Sequence, residues 1–226
     1  MPTETFFNLS TEKKDRILRA ARKEFSSVSL KEASISNIIR EADIPRGSFY
    51  QYFEGKEDLY FYYFHSIGRD SYRVLIEAIK KADGDLFTAF EHYFSSMIIE
   101  IFKGENVRFY KNLFMSMDYH GLRKVTPLLE ETPKSQKNQC HHKKKHQKIF
   151  EVVDKSLLKV NNNHELDLLL QMMMHTVFST IADGYRQRNE DETYDVEAIQ
   201  QNFSRKFNWL KNGAKKRNFN EKGNGR

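Results

Sequence analysis

A chain of 226 residues can bury a substantial core without metal or disulfide staples, and its single cysteine, Cys140, excludes a disulfide within the chain and predicts a cytoplasmic setting. The opening MPTETFFNLSTEKKDRILRAARK lacks the apolar stretch of a signal peptide, and the apolar run LLLQMMMHTVF is broken by Gln171 and His175, so neither secretion nor a membrane span is predicted. The net charge of +6 is uneven: residues 1–60 balance ten basic against ten acidic side chains, while the excess sits in KSQKNQCHHKKKHQK (134–148) and in the basic stretch 205–226. Charge alone therefore argues only weakly for a nucleic-acid partner.

Four prolines and ten glycines against many Leu, Ile, Glu, Lys, Gln and Met residues predict an all-α chain of about nine helices. The first helix is expected from about Ser10 to Phe25, capped by Ser10 or Thr11, with Ile17, Leu18, Ala21 and Phe25 on one face. A short second helix follows Ser34, burying Ile35, Ile38, Ile39 and Ala42. Asp43-Ile44-Pro45 reads as a turn, with Pro45 suited to the first position of the next helix. The third helix, Arg46–Phe53, buries Phe49 and Phe53. A long fourth helix is predicted from Lys56 to about Lys81. Further helices are expected from Asp85 to Gly104, from Asn106 to near Gly121, from Ser135 to Val160, from His164 to Arg188 and from Tyr194 to about Lys211.

Two short helices joined by a tight turn behind a stabilising first helix form a helix-turn-helix pattern. The stretch SISNIIREADIPRGSFYQYFEGKEDLY (34–60), with ILRAARKEF (17–25) before it, resembles the DNA-binding domain of the TetR family of bacterial regulators. The resemblance rests on the hydroxyl residue opening the second helix, on Gly-Ser-Phe-Tyr-x-Tyr-Phe in the third, and on Lys56 followed by Glu57, Asp58 and Leu59 in the fourth. Two positions depart from the family pattern. Asp43 stands at a turn position usually taken by Gly, and Ile39 where Ala is usual, which predicts slightly wider packing between the two short helices. The motif covers about the first quarter of the chain; the rest resembles the family in length and helix number.

A recognition helix presents hydrogen-bonding side chains at its exposed N-terminal end while apolar ones anchor it. Arg46 is the candidate for reading guanine and Gln51 for adenine, and Gly47 allows close backbone approach. Ser34, Ser48, Tyr50, Tyr52 and Lys56 suit phosphate oxygens, and Ser36 suits either contact. The alternatives are that Ser34 only caps its helix and that Tyr50 or Tyr52 packs inside the small domain.

One such head reads only a few base pairs, so the expected partner is a pseudo-palindromic operator in double-stranded DNA, bound by a homodimer. As in the family, the dimer is expected to pair through the last two helices; the alternative is that these helices only close the core of one chain. The resemblance also implies an effector cavity in the larger domain. Phe90, Tyr93, Phe94, Phe109, Tyr110, Phe114, Met117, Met173, His175 and Phe178 are the candidate lining, suited to a hydrophobic or aromatic small molecule, with ordinary core as the competing assignment for each. Cys140, His141, His142 and His146 have metal-like spacing, but Lys143, Lys144 and Lys145 between them oppose a cation, and neither a metal nor a cofactor is expected. No Gly-rich phosphate loop or Gly-x-Ser-x-Gly elbow occurs, so no enzyme is expected.

The chain is thus expected to divide into a DNA-binding domain (1–55, helix-turn-helix about 34–53), an effector-binding and dimerisation domain (56–211) and a basic, disordered tail (212–226). The expected function is a ligand-responsive repressor. The alternative is a protein that sequesters a small molecule and whose DNA head is weak or lost.

Overall fold

Local signals set several of the helix ends. Ser10 caps α2 (Thr11–Ser27) by accepting from the Lys13 N–H at 3.3 Å. Asp85 caps α7 (Leu86–Lys103) by accepting from the N–H groups of Phe87 and Thr88, and Gly104 closes it. Asn162 caps α9 (Asn163–Glu190) by accepting from the Glu165 N–H at 2.9 Å. Each cap satisfies N–H groups that have no partner within their own helix.

The computed structural model describes residues 2–68, 71–116, 148–191 and 194–214. Among them are ten α-helices, a further helical segment that ends at residue 152, and no strand. The remaining helices are α1 (Glu4–Phe7), α3 (Ile35–Ala42), α4 (Arg46–Tyr52), α5 (Lys56–Ile67), α6 (Ser71–Lys81), α8 (Val107–Ser116) and α10 (Val196–Ala214). The architecture is an N-terminal helix-turn-helix head followed by a larger helical body, as the sequence predicts. In the head α2 packs on α3 and α3 on α4, with Ile17, Phe25, Ile38, Phe49 and Phe53 fully buried between them. In the body α7 packs against α6, α8 and α10, and α9 packs against α8 and α10. The head meets the body where α2 lies on α5 and α8.

Asp43 ends α3 with φ 51° and ψ 56°. It thus adopts the left-handed conformation that the turn requires and that Asp tolerates better than most residues. Arg16 on α2 lies 3.7 Å from its carboxylate.

Several expected elements differ from those observed. The helix predicted over 56–81 is two: α5 ends at Ile67, and Gly68, whose N–H donates to Phe64 O at 3.1 Å, closes it. A glycine in a helix interior costs about 1 kcal/mol relative to Ala, so the periodic pattern overstated continuity there. The helix predicted to reach Val160 stops at residue 152. Asp154 instead accepts from the Ser156 N–H and caps a 3-10 turn (Lys155–Leu157), while its own N–H donates to Gly84 O at 3.1 Å. Gly84 has φ 83°, and a Cβ there would lie 2.7 Å from the Asp154 nitrogen, so both backbone angle and proximity demand glycine. Pro45 is the N-cap of α4 and not its first helical residue. Helix α1 has no counterpart among the expected elements. The expected continuation of α8 toward Gly121 and the start of the helix from Ser135 lie outside the described residues. So does the expected tail beyond the end of α10.

Candidate nucleic-acid interface and effector region

The first turn of α4 is exposed on one side and anchored on the other. Phe49 is fully buried, while Arg46, Gly47 and Tyr50 face outward. The Arg46 guanidinium donates to Ser36 Oγ at 3.3 Å and reaches the Tyr50 hydroxyl at 3.5 Å, with its carbon 5.8 Å from the Tyr50 ring centre. Three of the candidates, from α3 and α4, thus form one exposed polar group around a guanidinium. A Cβ at Gly47 would meet nothing within 4 Å, so nothing inside the protein requires glycine there. Gln51 is exposed and Ser48 half-buried.

The other candidates are placed differently. Tyr52 is buried, its ring near Phe6 and 5.6 Å from the Lys13 ammonium. Lys56 donates to the carbonyls of Lys31 and Ala33 at 2.7 and 2.9 Å, tying the start of α5 to the loop before α3. Two of its three protons are committed to that link. Ser34 occupies the N-cap of α3 without a side-chain cap bond. Its N–H and the Asn37 amide donate to Glu24 Oε1, so Glu24 of α2 supplies the anchoring acceptor.

Three supports of the site escaped sequence reasoning: Glu24, Thr3 and Phe6. Thr3 donates through its hydroxyl to Gln51 O at 2.6 Å and through its N–H to Tyr52 O at 3.0 Å, so the residues before α2 brace the last turn of α4. Phe6 packs its ring on Phe53 at 4.9 Å. The adjacent Phe6-Phe7 pair was the available signal; for Glu24 there was none.

In the body, Phe90, Tyr93, Phe94, Phe109, Tyr110, Phe114, Met173 and Phe178 are all buried. Phe94 stacks on Phe203 with centroids 3.7 Å apart, and Phe90 on Phe207 at 6.2 Å, joining α7 to α10. Phe109 meets Tyr60 and Tyr63 of α5, and Phe114 meets Phe178 and Tyr185 of α9. The candidates are therefore spread over three ring clusters. His175 is exposed on α9, in line with the exposed Leu168 and Met172. Met117, Cys140, His141, His142 and His146 lie outside the described residues.

Tyr185 was missed and is central. Its hydroxyl donates to Ile101 O at 2.6 Å, and Val107 O lies 3.2 Å away, clasping the end of α7 and the start of α8. Burial pushes its ionisation, like that of Tyr60 and Tyr110, far up, and that of Tyr63 up to about 12. These phenols stay protonated near neutral pH, and Tyr63 donates to Asn106 Oδ1 at 2.7 Å.

Polar links cross from head to body at this place. Asn112 of α8 donates to the carbonyls of Phe25 and Val28 at 3.0 and 3.2 Å, satisfying acceptors at the C-terminal end of α2. Arg22 donates to the Glu105 carboxylate and carbonyl at 3.0 and 2.8 Å.

Residues 17–63 match the family model described as bacterial regulatory proteins, tetR family. Residues 85–214, more than half of the chain, match that of the tetracyclin repressor-like C-terminal domain. No curated protein matches the chain. Among solved structures, the fold is similar to SmeT, the repressor of the Stenotrophomonas maltophilia multidrug efflux pump SmeDEF, with a TM-score of 0.59 at 14% identity over 92% of this chain and 91% of that one. It is also similar to a TetR family transcription regulator from Marinobacter aquaeolei, with a TM-score of 0.52 at 15% identity over 91% of this chain and 97% of that one. No described helix is long and apolar enough to cross a membrane.

Proposed function

The chain belongs to the TetR family of DNA-binding transcription regulators, and from that premise we propose that it is a repressor released from a pseudo-palindromic operator by a small hydrophobic or aromatic effector. The observation that carries this reading is the exposed group of Arg46, Ser36 and Tyr50 at the start of an α4 anchored by Phe49. A guanidinium at the tip of a recognition helix matches the paired acceptors of guanine in the major groove. Gln51 would read an adenine, Gly47 would let the backbone approach, and Ser34 and Ser48 would meet phosphates. Tyr52 and Lys56 act on this reading by holding the shape of the head, because ring burial and two carbonyl bonds occupy them. A phosphate can still take the third Lys56 proton.

Two heads would enter successive major grooves through a homodimer of α9 and α10. Leu168 and Met172 on α9 and Trp209 on α10, 74% exposed, leave apolar surface for such pairing. An effector among the body aromatics would shift α8, and the links from Asn112 and Glu105 to α2 would carry that shift to the head. Heads fixed to one half-site spacing then lose the operator. Family regulators are generally non-enzymatic, and the repressor needs no metal or cofactor.

The test is selection of bound sequences from random duplex DNA with purified protein at physiological salt. An inverted repeat with half-sites about one helical turn apart is expected. Recovery of unspecific, salt-sensitive binding alone would overturn the reading in favour of small-molecule sequestration.

A further inference from the structure

The second half of α2 carries Arg19, Arg22, Lys23, Ser26 and Ser27 at i, i+3, i+4, i+7 and i+8, which places them on one helix face. This face meets Glu105, Val107 and Arg108 across a cleft of about 370 Å³ at the joint of head and body. None of the lining residues comes from α3 or α4. The walls hold four cations and one carboxylate, with Val107 the one apolar side chain. Val107 alone gives a hydrophobic effector little to bury against, whereas a small multiply charged anion matches the charge of the walls and is small enough to enter.

The cations are unequally committed. Lys23 pairs with Glu41 at 2.7 Å, and Arg22 is held by Glu105. Arg19 and Arg108, on opposite sides of the cleft, have no partner among the described residues. Glu105 itself places a carboxylate oxygen 3.0 Å from Arg22 Nη1, which is the contact an incoming anion would make. Displacing that carboxylate leaves Arg22 Nη2 still bonded to the Glu105 carbonyl at 2.8 Å, so the guanidinium stays in place.

We propose that this cleft is a binding site for a small phosphate-bearing polyanion, gripped by Arg19 and Arg22 from α2 and by Arg108 from α8. The guanidinium fork matches phosphate oxygens in pairs, and three forks from two elements suit a diphosphate better than a single charge. The bound anion ties the head to the body independently of the aromatic region.

Isothermal titration of the full chain with inorganic pyrophosphate tests this without operator DNA. One saturable site per chain is expected, weakened about tenfold or more in the double variant R19A/R108A, given the strength of charge-assisted bonds. Removing two exposed lysines of α6, in K80A/K81A, is expected to leave it unchanged. Glu105→Gln, which removes the competing carboxylate, is expected to tighten binding. Absent saturation, equal loss in K80A/K81A, binding unchanged in R19A/R108A, or weaker binding in Glu105→Gln would each overturn the proposal. The same phosphate chemistry could come from the DNA backbone. If R19A/R108A without pyrophosphate lowers affinity for duplex DNA about tenfold, the cleft is a backbone contact and the proposal fails.

Discussion

The head and the body use aromatic residues in opposite ways. In the head, rings such as Phe49 and Phe53 anchor short helices whose polar residues stay outside, so the working surface is local in sequence and exposed. In the body, Phe94, Phe109 and Phe114 pair with rings 46 to 109 positions away, so any ligand-facing surface depends on how several helices meet. A surface built from one short segment can be recognised from that segment. A cavity wall built from four helices is indistinguishable in sequence from the core around it.

Truncating one ring of the Phe94–Phe203 stack strikes the body hardest. Phe94→Ala is expected to lose about 3–5 kcal/mol of stability, read by urea denaturation, because the site is sealed between α7 and α10. A loss below about 1 kcal/mol would mean that the stack is open to solvent or to a ligand.

The head answers differently. Arg46→Ala is expected to leave the melting curve unchanged and to cost about 1–3 kcal/mol of operator binding, read by fluorescence anisotropy, with relaxed preference at one base pair. Unchanged affinity would remove Arg46 from the reading surface.

Asn112→Ala leaves two carbonyls at the end of α2 without their donor and is expected to cost about 1–3 kcal/mol. Hydrogen exchange should speed up at the end of α2 more than in α9 if the effect stays at the joint. Asp85→Ala removes an N-cap and is expected to cost about 1 kcal/mol, confined to the body.

The smallest expected effect is acidic. The Asn161 N–H and amide hold the Glu165 carboxyl below its ordinary value of 4.5. Its contribution is therefore present above that value and is lost as pH falls through the lowered folded-state one. Glu165→Gln should flatten the acid limb of a pH-dependent melt slightly. A steeper limb would contradict the assignment.

Where chain direction is set by neighbouring residues, the sequence was legible. Ser10 and Asp85 as caps, Asp43 as the left-handed turn and Gly104 as a helix end were all readable, because each acts on backbone groups a few positions away. The break at Gly68 and the stop before Asp154 were not, because the periodicity of apolar residues runs through both, and at Asp154 the competing bond comes from the distant Gly84. The candidate DNA face was legible in Arg46, Ser36 and Tyr50. Its supports, Glu24 and Thr3, act across 10 and 48 positions and carry no local signature.

By itself, then, the sequence determined an all-α chain with a helix-turn-helix head, since helix periodicity, capping and turn chemistry are short-range properties of the backbone. Only the tertiary structure decided that Tyr52 faces inward, that Lys56 binds two carbonyls and that Asn112 and Arg22 join head to body. These depend on distances between segments far apart in the chain, and those distances are settled by packing among all the helices together.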